Sequence, residues 1–195
     1  MRRKSLDHEY LGIFNTPMAD GVKKTDRSSH GFFVERAADL NDALPQSKEC
    51  YAYWSDLCAR LSGKLPHRGM IQPSEIPDLL AHFYLVDLFE DGKMMLRYRL
   101  GGSSVCQLSA MEVKGKRFVD IYDAESHQMF LDIYARIVER RLPFYLRAAS
   151  KLPGRDFLDI ERVMMPFGDE SGAVVIVGGV VVSWSMPTGS SPIHA

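Results

Sequence analysis

The last third of this 195-residue chain restricts its fold more than any other stretch. From about Ser126 to Arg141 the apolar doublets Met129-Phe130, Ile133-Tyr134 and Ile137-Val138 recur every four residues, the period of a helix with one buried face. Three strand-like segments follow, Phe144–Ser150, Phe157–Phe167 and Val174–Trp184, with no further helix between them. Pro153-Gly154 and Asp169-Glu170-Ser171-Gly172 turn the chain from one to the next. Two earlier segments, Phe83–Phe89 and Met94–Leu100, flank Asp91-Gly92, a strong hairpin signal. The order strand, strand, helices, long helix, three strands predicts an α+β domain, an antiparallel sheet with its helices on one face. Such a domain leaves a cavity between helix and sheet, which favours sensing or docking over catalysis.

The remaining segments divide the chain into three parts. Residues 1–44 lack a sustained period and read as a loosely ordered arm; 45–184 form the domain; 185–195, with two prolines and a glycine, form a tail. A first helix is expected from about Gln46 to Ser62, with Ser47 as its cap and Gly63 and Pro66 as its stop. Its stripe Cys50, Trp54, Leu57 and Leu61 is the candidate dimer surface, with packing on the chain's own sheet as the other option. Ser74 and Pro77 suit the start of a helix of one or two turns. In the second strand Leu96, Tyr98 and Leu100 alternate with Arg97 and Arg99, so one apolar and one cationic face are expected.

Composition excludes several functions. The 24 Lys and Arg offset 25 Asp and Glu to a net charge of -1, which gives no electrostatic case for nucleic acid or an anionic membrane. The most apolar window, Ala173–Val182, is ten residues and falls far short of the roughly 20 that span a bilayer. Three cysteines, Cys50, Cys58 and Cys106, with no CxxC pair, read as reduced thiols of a cytoplasmic protein. No phosphate loop, dinucleotide fingerprint or zinc-protease motif occurs, and Gly101-Gly102-Ser103-Ser104-Val105 lacks the final glycine of a nucleophile elbow. The six histidines are scattered without metal-ligand spacing. Two polar features remain for a cavity: His127 in the first turn of the long helix, and Glu161-Arg162 interrupting an apolar strand. One of that pair must point inward and needs a partner there.

Tyr53-Trp54, Gly63, Pro66, Arg68, Ile71-Gln72-Pro73 and Glu75-Ile76-Pro77-Asp78-Leu79-Leu80 resemble the leading segment of a bacterial PAS-like family. Arg97-Tyr98-Arg99-Leu100-Gly101-Gly102, Gly115-Lys116-Arg117-Phe118, Glu161-Arg162 and Pro166 are similar to its later motifs, over about Cys50 to Trp184. The resemblance implies a PAS-like five-stranded antiparallel sheet of order 2-1-5-4-3, an N-terminal flanking helix and a pocket under the sheet's inner face. It implies a non-catalytic sensory or regulatory role: binding a small apolar ligand, docking a signalling partner, or both, as a homodimer. Pocket candidates are Leu96, Tyr98, Leu100, Phe118, His127, Phe130, Tyr134, Ile137 and Arg162. The cofactor, if any, is unknown. Haem is not expected, because His127 lies a turn early and Phe130 stands where the family's axial histidine would be; flavin photochemistry is not expected, because its cysteine motif is missing. No output segment is recognised after Trp184, so output is expected through a partner. The alternatives are a small α+β enzyme or ligand carrier with Tyr134, His127 and Arg162 in its cavity, and a pure interaction domain with a filled core.

Overall fold

The computed structural model describes residues 30–150, 152, 154, 155 and 157–185. Most of the expected arm, the tail after Ser185, and Pro153 of the predicted turn lie outside the described residues. Three helices, α1 (Pro45–Arg60), α2 (Ser103–Ser109) and α3 (Ala124–Arg140), accompany six strands. The strands are β1 (His30–Phe33), β2 (Phe83–Glu90), β3 (Lys93–Gly101), β4 (Phe144–Ala149), β5 (Leu158–Gly168) and β6 (Val174–Ser185). They form one sheet of order β1-β4-β5-β6-β2-β3, and every pairing between its strands is antiparallel. Without β1 this is the expected 2-1-5-4-3 arrangement. The sixth strand comes from the stretch read as an arm, with Phe32 opposite Tyr145 and Phe33 opposite Phe144.

Local chemistry accounts for the main boundaries. Asp91 and Gly92 both take positive φ, +51° and +77°, so Glu90 pairs directly with Lys93 in a tight hairpin. Asp123 caps α3 by accepting the Ser126 amide at 2.7 Å, and Arg141 at φ +59° ends it ahead of Pro143. The start of α1 differs from expectation: Leu44 is the N-cap, Pro45 takes the first turn, and Ser47 is buried with another task. The segment with Ser74 and Pro77 forms two single turns of 3-10 helix, Pro73–Glu75 and Pro77–Leu79, because each proline opens a new turn that the preceding residue cannot continue.

Two hydrophobic clusters lie on opposite faces of the sheet. On the inner face α2, α3 and the 118–120 turn cover Tyr84, Val86, Leu96, Tyr98, Met164 and Val177. On the outer face α1 lays Cys50, Trp54 and Leu57 on Leu85, Val163, Met165, Phe167 and Val180. The Trp54 indole donates to the Pro166 carbonyl oxygen at 2.8 Å and fixes the helix along β5. The stripe proposed for a dimer is therefore used inside the subunit, with Leu61 half-buried just past the helix end.

Candidate ligand site at the helix–sheet interface

Aromatic residues from four elements converge on the inner face. Phe118 stacks on Tyr98 at 4.7 Å and meets Phe130 and Tyr134 edge-on at 5.3 and 5.8 Å. The loop that brings Phe118 there runs along β3: the Tyr98 amide donates to the Lys116 carbonyl, and the Gly115 amide donates back to the Tyr98 carbonyl. Phe130 and Tyr134 are one turn apart on the inward face of α3, and Ile137 continues it.

Arg162 reaches into this aromatic group from β5. It is 1% exposed, and its guanidinium donates to the Tyr122 hydroxyl at 2.8 Å and, more weakly, to the Tyr98 hydroxyl at 3.5 Å. The two hydroxyls are themselves 3.2 Å apart. The rings of Phe130 and Tyr84 lie 5.1 and 5.7 Å from the guanidinium carbon, within cation–π range. Four buried side-chain polar atoms lack a hydrogen bond of good geometry among the described residues, and three lie on this face: Arg162 Nε, and the Tyr84 and Tyr134 hydroxyls, which are close enough to interact with each other. Burial pushes the Tyr84 hydroxyl up to about 12 against the pull of Arg162, and raises Tyr98 and Tyr134 well above their ordinary value. These three hydroxyls therefore stay protonated at neutral pH.

A cavity of about 30 Å³ adjoins the arginine, lined by Tyr122, Met129, Phe130, Leu146, Leu152 and Ile160 among others. A larger groove of about 560 Å³ lies on the other side of the molecule, open between α1 and residues 37–41, and holds none of the unpaired buried atoms. We take the smaller, polar-headed cavity as the site.

Seven of the nine predicted pocket residues lie buried on the inner face, Leu96, Tyr98, Phe118, Phe130, Tyr134, Ile137 and Arg162, and of these Phe130 and Arg162 line the cavity. Leu100 does not. A bulge at Arg99 shifts the register so that Leu85 pairs with Leu100 and Val86 with Tyr98, which carries Leu100 to the outer side, 41% exposed. His127 is half-exposed and outside the packed cluster, because Ser126 takes the inward position of that first turn. Tyr84 and Tyr122 were not anticipated. Tyr84 stands on β2 in the inward alternation, a readable signal; Tyr122 sits in an irregular connection where no period marks its direction.

Among the described residues no three His, Cys, Asp or Glu side chains converge to hold a metal ion, and no helix is long and apolar enough to cross a membrane. The family model described as "PAS domain" matches residues 43–182. No curated protein matches the chain. Fifteen chains of solved structures do. One, titled "Structure of an RNA-binding Light-Oxygen-Voltage Receptor", is 11% identical at a TM-score of 0.47, covering 80% of this chain and 39% of its own length. This chain thus spans well under half of that receptor. With the model covering most of its length and the antiparallel sheet in place, the chain belongs to the PAS domain family.

Proposed function

We propose that this PAS domain is a non-catalytic sensory or regulatory module that takes a small molecule between α3 and the inner sheet face. One observation carries the reading: Arg162 lines a small cavity beside α3, and its buried Nε has no hydrogen-bond partner among the described residues. Buried polar atoms are nearly always satisfied, and each unmet one costs about 1–3 kcal/mol. A buried guanidinium with an unmet donor at a cavity wall describes a surface shaped to recognise a polar group. A filled interaction core gives that donor no role. An enzyme would need a positioned base, and the nearest histidine candidate, His127, stands outside the cluster.

Output is assigned to the outer side, where α1 and the exposed face of its neighbourhood meet a signalling protein or a second copy of the chain. The three free cysteines suit a reducing compartment such as the cytoplasm. Native mass spectrometry of the freshly purified full chain tests the reading. The expected spectrum carries a small-molecule adduct that denaturation removes, and Tyr122→Phe, at the cavity wall, lowers its occupancy. A bare mass, together with no gain in melting temperature from any member of a small-molecule library, would overturn it.

A further inference from the structure

The charge balance around Arg162 specifies what the compartment takes. A guanidinium remains protonated in proteins, and a buried charge is stable only when paired. Several surface arginines have carboxylates, Arg97 and Arg117 sharing Glu90, Arg99 meeting Asp87 and Arg60 meeting Asp56 and Glu75, while Arg136, Arg140 and Arg147 lie over ring faces with access to water. Arg162 has none; among the described residues its polar contacts are two tyrosine hydroxyls, and its other neighbours are ring faces. Tyr84, Tyr98 and Tyr134 do not supply the missing charge, since burial holds them in their neutral form. Glu161 is next in sequence but faces the other side of the sheet, bound there by Leu44, Ser47 and Tyr145. One positive charge is left over at the inner face.

We infer that the ligand is an organic monocarboxylate: its head pairs with the Arg162 guanidinium beside Tyr122, and its apolar tail leads out past Met129 and Leu152. This rests on the proposal that the compartment takes a ligand at all. A carboxylate matches the flat fork of a guanidinium, and the unbonded Nε offers a donor to it. A cavity of about 30 Å³ has room for a head of only a few atoms. No second cation lines it, so a doubly charged head would be left half-neutralised. Beyond the arginine, Tyr122 and Ser150 the lining is apolar, with Phe130, Leu146, Leu152 and Ile160 as walls and the half-exposed Met129, Ala148 and Ala149 at the rim.

A series with one tail and three heads tests the charge: octanoate, 1-octanol and octylamine, titrated by calorimetry at neutral pH into the full chain and into Arg162→Met. Methionine keeps the volume, and replacing a buried charge by an apolar side chain is often neutral or stabilising. Octanoate is expected to bind the wild type tightest and octylamine not at all. The substitution is expected to weaken octanoate about 30-fold or more, the usual result of removing one member of a buried charge pair. Octanol binding as well as octanoate would overturn the monocarboxylate assignment and leave the compartment as a ligand site. Octanoate binding equally to Arg162→Met would overturn it too, as would failure of all three probes on the wild type; the adduct spectrum then judges the compartment itself. Should Arg162→Met not fold, the order of the three heads on the wild type still decides.

Discussion

Glu161 and Arg162 are consecutive on β5, so their side chains leave opposite faces of the sheet, and both are buried. On the outer face the Glu161 carboxylate accepts from the Leu44 amide at 2.8 Å, the Ser47 hydroxyl at 2.6 Å and the Tyr145 hydroxyl at 2.9 Å. That pins the start of α1 to the sheet. Ser47→Ala removes one of these charge-assisted bonds and is expected to cost about 1.5–3 kcal/mol in urea unfolding. The buried tyrosines set an alkaline limit. Tyr84, Tyr98 and Tyr134 release their protons at higher pH folded than unfolded. Their contribution is full below pH about 10, the unfolded value, and each loses about 1.4 kcal/mol per pH unit from there up to its raised folded value. Unfolding should therefore coincide with a jump in tyrosinate absorbance, whereas gradual titration of these tyrosines in the folded protein would contradict their burial. The interruption of an apolar strand by Glu161-Arg162 was legible in the sequence. That both would be buried was not, because alternation implies one wet face unless another element covers it.

At the scale of elements, that covering element is α1. Its aromatic stripe was readable from the helical period, but periodicity does not say which surface receives it. The sheet receives it, through Trp54 above all. Trp54→Ala is expected to destabilise by about 3–5 kcal/mol, measured by thermal or chemical unfolding. A loss under 1 kcal/mol would mean that α1 is not docked there. The β2–β3 hairpin was legible from Asp91-Gly92, yet Leu100 was misplaced, since a bulge leaves no mark in a run of alternating Leu and Arg. The same holds for β1: His30–Phe33 is too short and polar-flanked to announce itself, and only β4 gives it a partner. In β6, Gly179 is required by close approach: a Cβ there would overlap the Val163 carbonyl oxygen. Gly179→Ala should cost about 3 kcal/mol.

Across the whole molecule, one strand joins the two faces. β5 carries Arg162 at the proposed ligand site and Glu161 at the anchor of α1, so a change at one is a single peptide from the other. The inner compartment was legible because α3 and the three final strands are long and regular. The tyrosine hydroxyls and the missing counter-charge were not, because pairing is a property of three dimensions. The most direct measurement is the side-chain Nε–H resonance of Arg162 in the isotope-labelled full chain, followed as octanoate is added. The account predicts that this resonance moves at saturation while the surface arginines Arg60 and Arg99 stay in place. An unmoved Arg162 signal under conditions where octanoate binds would contradict it.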